Sequence, residues 1–321
     1  MKILLTGSSG WLGRTLAPVL VNRGDTVIGL DIAPGAYTQA IGSVADRALI
    51  DRLFEEHLFD AVLHAGALHK PDIARYPTQA FVDVNITGTL ALLEAAVRTG
   101  ASRFVFTSTT SLMISTDIRE AKGDAAVWLD EGRDSFRPRN IYGVTKLAAE
   151  QLCRLFHDDH GLPVLVLRTG RFFPEEDDTH RALSGENMKA NELLHRRLTV
   201  EDAAAAHVAA LDRAPAIGFG TYILSAPTPF ARADVAELKR DAPAVIARLY
   251  PDAADLYARM GWSLPASIDR VYDAGLAERE LGFRCATDFG SVLAALRSGG
   301  ASPVAHDADY VSPKEQTKAT N

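Results

Sequence analysis

Three glycines, Gly7, Gly10 and Gly13, stand three apart between a short apolar run, Lys2–Thr6, and an amphipathic stretch, Trp11–Arg23. The first run reads as a strand and the second as a helix, so the glycines occupy a strand-to-helix turn. Few folds need that pattern. Gly7 suits the tight turn after the strand. Gly10 removes a side chain where a ligand would approach the helix start, and Gly13 lets the helix lie near the sheet. The first N–H groups of a helix lack intrahelical partners and carry a partial positive charge, which favours an anion. The stretch therefore reads as a cradle for the pyrophosphate of a dinucleotide, with Ser9, Trp11 and Leu12 in the same turn.

The next apolar run, Thr26–Asp31, ends on an acid. A carboxylate there binds both hydroxyls of a ribose. A 2′-phosphate would meet like charge, and no Arg or Lys follows in "DIAPGAY", so NAD is expected over NADP, with Ile32 beside it.

Further strand-type runs are "DAVLHAGA", "RFVFTST", "PVLVLRTG" and, later, "TYILSA". Helix-type stretches alternate with them at Asp46–His57, Thr78–Arg98 and Tyr142–His157. Asp46 reads as the N-cap of its helix. This alternation implies βαβ crossovers, and the nearly all-apolar strands imply helices on both faces. The expected fold is α/β: a Rossmann-type doubly wound parallel sheet with a small, mostly helical C-terminal substrate lid. Residues 1–170 plus 200–226 form the expected NAD-binding domain, 171–199 plus 227–298 the lid, and 299–321 a flexible tail. A net charge of −7 does not favour nucleic acid or an anionic membrane as partner. The two cysteines, Cys153 and Cys285, lie far apart without metal-ligand spacing, and "MKILLTG" is neither a signal peptide nor a membrane span. A cytoplasmic location is expected, and no metal.

Several motifs follow in a fixed order: the glycine triplet after Thr6, "DAVLHAGA", "NITGTLALLEAA", "FVFTSTTS", "YGVTK" and "RRLTVEDAAAAHVAAL". Together they resemble the extended branch of the short-chain dehydrogenase/reductase superfamily, also called the NAD-dependent epimerase/dehydratase family. The resemblance covers residues 1–225 well and 226–298 loosely. It implies that Ala65, Gly66 and Ala67 lie beside the adenosine, and that Ser43 and Val44 flank the adenine, with Ser where the family usually has an acid. It also implies that Asn85 braces the active-site strand near the cofactor, and that Thr107, Ser108 and Thr169 face the cofactor. Thr109 falls on the family's catalytic Ser/Thr, and Thr110 is placed for substrate. A homodimer through the Thr78–Arg98 and Tyr142–His157 helices is implied too.

Tyr142 and Lys146 are four apart on a helix and share one face. A phenol with an ordinary pKa of about 10 is too weak a base at neutral pH. Lowering it by about three units requires roughly 4 kcal/mol. One cation about 4 Å away supplies that order of energy at an effective dielectric near 20. Tyr142 is thus expected to move the proton of a substrate alcohol, with Lys146 lowering its pKa and binding the nicotinamide ribose.

His64 lies in an apolar strand and reads as a satisfied buried histidine. His69 follows the strand end and is a candidate for lining the site. The acidic run Pro174–His180 reads as a solvated loop. Relatives acting on nucleotide sugars carry Asn where this chain has Arg171 and a Gly before the Pro at 174, and they have a longer insert before "LTVEDAAAAH". "PEEDDTHRALS" resembles uronate dehydrogenases, which places a carboxylate-binding arginine at Arg181. An NAD-dependent oxidoreductase acting on a small sugar-derived substrate, such as a sugar acid, is expected. The alternatives are a nucleotide-sugar 4-epimerase or dehydratase that recycles NAD internally, and a non-catalytic NAD-sensing protein.

Overall fold

The computed structural model describes residues 1–133, 136–172 and 185–304. Seven parallel strands form the main sheet: β1 (Lys2–Thr6), β2 (Thr26–Asp31), β3 (Ala40–Ile41), β4 (Ala61–His64), β5 (Arg103–Thr109), β7 (Val164–Thr169) and β8 (Phe219–Leu224). Their order is β3-β2-β1-β4-β5-β7-β8. The chain runs outward from β1 to β3, then returns to the other side of β1 at β4. That reversal opens a crevice at the carboxyl ends of β1 and β4, the usual ligand position in a doubly wound sheet.

Side chains alternate across the sheet with a period of two. Ile3, Leu5, Val105, Leu165 and Leu167 pack into a core with the Trp11–Asn22 and Val200–Ile217 helices. Leu4, Phe104, Phe106, Val164 and Val166 pack into the opposite core with Arg47–His57, Gly88–Thr99 and Ile141–His160. Each such buried side chain contributes about 1.5–3 kcal/mol. Asp46 caps its helix as expected, accepting from the Leu49 N–H at 3.1 Å.

Two features depart from the sequence reading. The helix expected over Thr78–Arg98 contains a π-helical turn, Asp83–Thr87, with the buried Asn85 inside it. This helix is long and apolar enough to cross a membrane, but half of it is buried within the fold. The strand β6 (Val127–Leu129) pairs in parallel with β9 (Arg270–Tyr272). The pair belongs to a third core with Leu193, Phe230, Tyr257 and Phe289, which joins part of the first half of the chain to the C-terminal region. Each of these strands is three residues long, too short to leave a periodic signal.

Among the described residues, three histidines are buried. Burial pushes His64 well below the ordinary imidazole value of 6.5, with Lys146 adding to it. It pushes His195 to about 3, with Arg196 and Arg270 acting in the same direction, and His207 to about 4. Below pH 6.5 the unfolded chain takes up protons that the folded chain refuses, so stability falls as the pH drops. Each imidazole then withdraws about 2 kcal/mol between pH 6.5 and 5. Urea unfolding at pH 7 and pH 5 should show a clear loss at pH 5, and an unchanged free energy would contradict this burial.

Candidate active site

The glycine turn is built as the spacing requires. Gly7 has φ +74°, and its N–H donates to the Leu30 carbonyl at 2.8 Å. A Cβ on Gly13 would stand 2.1 Å from the Gly7 carbonyl oxygen and 2.7 Å from Ser8 Cα, so this residue sets how closely the helix approaches the turn. A Cβ on Gly10 would meet only the Gly7 oxygen, at 3.3 Å, and otherwise enters the open cleft. The Trp11–Asn22 helix has no acidic residue in its first turn and no side-chain cap.

These two glycines separate folding from binding. Gly13→Ala should destabilise the protein by about 1–3 kcal/mol and disrupt the turn. Gly10→Ala should leave the thermal midpoint nearly unchanged while weakening dinucleotide binding at least tenfold, because its methyl group projects towards the anion. Thermal denaturation with calorimetric NAD titration checks both. Equal effects at the two positions would contradict the geometry.

The cleft, about 310 Å³, is lined by Gly7, Gly10, Trp11, Leu12, Gly13, Asp31, Ile32, Ser43, Val44, Ala65, Gly66, Ala67 and Thr107, all singled out in the sequence, together with His69, Asp72 and Phe172. Asp31 ends β2. Its two carboxylate oxygens accept from the Ser9 and Ala33 N–H groups at 3.0 and 3.1 Å, which fixes its orientation. Ser43 accepts from the Ala45 N–H at 3.1 Å. The rim near Val44 is tightly packed, since a Cβ on Gly88 would lie 2.7 Å from Val44 Cγ2.

At the other end, Tyr142 lies in the first turn of Ile141–His160, which Asn140 caps by accepting from the Gly143 N–H at 3.0 Å. The Tyr142 phenol is buried beside the Thr109 side chain. Thr109 also accepts from the Ser111 N–H at 3.1 Å. The His69 ring meets the Tyr142 ring edge-on, with centroids 5.8 Å apart. Lys146, one turn along the helix, donates to the Thr107 carbonyl at 2.7 Å and lies over the Phe106 ring. Burial pushes the Tyr142 phenol up to about 12. The neighbouring Thr109 hydroxyl opposes this rise and the Asp72 carboxylate adds to it. The phenol is thus raised, where the sequence argument expected Lys146 to lower it. The ammonium is turned to a carbonyl, and desolvation dominates.

Several expected contacts are corrected. Ser108, expected to face the cofactor, is buried and donates to the Glu150 carboxylate, which also holds Arg168 through contacts of 2.7, 3.1 and 3.2 Å. Alternation along β5 turns it from the cleft face that Thr107 occupies. Thr169 donates to the Ser108 carbonyl at 3.0 Å, and Thr110, expected at the substrate, donates to the Thr169 carbonyl at 3.2 Å. Both hydroxyls tie β5 to β7. The Ser9 hydroxyl turns inward, to the Ala33 carbonyl and Thr38. Asn85 braces a loop and a helix instead of the strand. It accepts from the Leu68 N–H at 2.8 Å and donates to the Leu68 carbonyl and to Thr145. Arg171 directs its guanidinium to Glu192 at 3.5 Å, and Glu192 also pairs with Arg196 and Arg197. Arg181 and the acidic run Pro174–His180 lie outside the described residues.

His64 is satisfied as expected. Thr89 donates to the Asn85 carbonyl, so His64 Nε2 donates to Thr89, and Nδ1 accepts from Thr6 at 2.7 Å. Sequence reasoning passed over Glu150, Asp72 and His207. Glu150 and His207 each interrupt the buried stripe of an apolar helix, and that was the available signal.

The sequence profile of the NAD dependent epimerase/dehydratase family matches residues 3–221, more than half of the chain. The chain belongs to this family. Epimerase/dehydratase relatives include the dTDP-glucose 4,6-dehydratase of Xanthomonas campestris pv. campestris, 31% identical over 186 residues, covering 51% of each chain. An L-arabinose 1-dehydrogenase (NAD(P)(+)) of Haloferax volcanii is 32% identical over 173 residues, covering 53% of this chain and 66% of that one. The chain spans about half the length of the first of these curated relatives. A short-chain dehydrogenase/reductase superfamily protein from Agrobacterium tumefaciens, crystallised with NAD, shares the fold with a TM-score of 0.63 at 22% identity, covering 99% of this chain and 98% of that one. Members of the epimerase/dehydratase family are NAD-dependent enzymes, and NAD is the cofactor here. The cradle fits it: an open Gly10, a helix start without acids, and an oriented Asp31.

Proposed function

We propose that this chain is an NAD-dependent dehydrogenase that oxidises a carbinol of a small sugar-derived substrate, a sugar acid among the candidates. The observation that carries this reading is the placement of Tyr142 beside Thr109 at the end of β5, with Lys146 one turn along the same helix and bound to the Thr107 carbonyl, at the cleft. Gly7, Gly10 and the start of the Trp11–Asn22 helix would hold the pyrophosphate, and Asp31 the ribose hydroxyls. When bound, NAD supplies the hydride acceptor and a positive nicotinamide charge. Thr109 orients the substrate hydroxyl, and Tyr142 takes its proton as the carbinol C–H bond breaks. Lys146 holds its Nζ beside this strand end, 2.7 Å from the Thr107 carbonyl oxygen.

Two observations favour net oxidation over nucleotide-sugar chemistry. Arg171, at the position of the expected Asn, is paired with Glu192. The strand end Thr107–Met113 carries hydroxyls but no carboxylate, whereas eliminating water requires further acid–base groups at that point. Screening sugars and sugar acids against nucleotide sugars by NADH absorbance tests the reading. Net NADH from the small substrates supports it. Conversion of nucleotide sugars without net NADH would replace it with the epimerase or dehydratase reading. We propose a homodimer as well, through the Ile141–His160 helix, where Val144 and Leu155 are exposed on one stripe. Light scattering in solution would show a monomer if that is wrong.

A further inference from the structure

Thr107 is gripped from both faces of the sheet. Its carbonyl accepts from Lys146 Nζ at 2.7 Å, and its hydroxyl lies 2.7 Å from His207 Nε2. His207 is fully buried on the Val200–Ile217 helix, with Nδ1 2.7 Å from the Ala203 carbonyl oxygen. A carbonyl only accepts, so Nδ1 carries the proton. Burial keeps the imidazole neutral, which leaves Nε2 bare. The Thr107 hydroxyl must therefore donate to Nε2. Its single proton is committed there, and its oxygen offers only lone pairs to the cleft it lines.

We propose that His207 is a positioning residue for the cofactor: it fixes Thr107 as an acceptor that selects a hydroxyl or amide donor on the nicotinamide half of the dinucleotide. Asp31 ends β2 and Thr107 lies near the end of β5, on opposite sides of β1 and β4 in the sheet. With the adenosine at Asp31, Thr107 lies at the nicotinamide end. The inference rests on NAD as cofactor and on that orientation, not on the substrate proposed above. A substrate panel that fails therefore leaves it standing.

The test is calorimetric titration of the full chain with NAD and with ADP, which lacks the nicotinamide half. His207→Leu and Thr107→Val should each weaken NAD about tenfold, the loss of one hydrogen bond, and leave ADP unchanged. His207→Gln should stay within about threefold of the parent, because its amide oxygen can accept the same proton. Parallel loss of NAD and ADP would reduce His207 to a structural role and overturn the inference. So would full NAD affinity in His207→Leu, or a parent chain that binds neither ligand. Should His207→Leu fail to fold, nitrogen NMR of the parent imidazole decides the matter. A neutral ring protonated at Nδ1 supports the inference, and an imidazolium or a proton on Nε2 at pH 7 overturns it.

Discussion

Tyr142→Phe should lower turnover by about 10³-fold or more while leaving NAD affinity within about twofold of the parent. The substitution removes one oxygen from a buried ring. The ring's packing against Leu68 and Phe81 persists, and Thr109 keeps the Ser111 N–H as a partner. The loss therefore falls on proton transfer. The raised pKa, about 12 in the ligand-free chain, adds a pH signature. Alcohol oxidation needs the deprotonated phenol, so its rate should climb with pH. The reverse reduction needs the protonated phenol and should decline over the same range. Asp72 helps to hold the pKa up, so Asp72→Asn should move the rising limb to lower pH. Steady-state kinetics in both directions, with NAD titration of the Phe variant, checks this. Retained turnover in Tyr142→Phe would sink the proposed mechanism.

Arg168→Met should destabilise the protein by about 3–5 kcal/mol, because it leaves the Glu150 carboxylate buried with the Ser108 hydroxyl as its remaining side-chain donor among the described residues. The effect should reach the site as well. Glu150 lies one turn beyond Lys146 and two beyond Tyr142 on the same helix, while Arg168 and Ser108 belong to β7 and β5. The pair thus locks the register of that helix against the sheet. If an uncompensated charge causes the damage, Glu150→Gln in the Arg168→Met background should restore most of the stability. Denaturant unfolding of both single variants and the double variant gives the coupling. Strictly additive losses would show that the pair acts only through packing.

Six of the seven strands of the main sheet were legible as apolar runs, and the glycine turn, the acid that ends β2 and the Asp46 cap were legible from spacing. β3, β6 and β9 were not, since two or three residues show no period. Tyr142 and Lys146 were placed together on one helix face because four residues are one helical turn. The hydroxyl row Thr107–Thr110 was found as a group but misassigned in part. Adjacent strand residues point to opposite faces, and the partners of each, His207, Glu150, Tyr142 and the Thr169 carbonyl, lie 33–100 positions away in the chain.

Local order alone therefore determined that this chain is a parallel α/β protein with a glycine-built strand-to-helix turn at its start. Helix and strand periods and φ-tolerant glycines are properties of neighbouring residues. The tertiary structure decided which hydroxyl serves the cleft and which serves the core, the direction of the Thr107 proton, and the sign of the Tyr142 shift. Those depend on burial and on partners brought together only when the sheet closes, and no spacing along the chain records them.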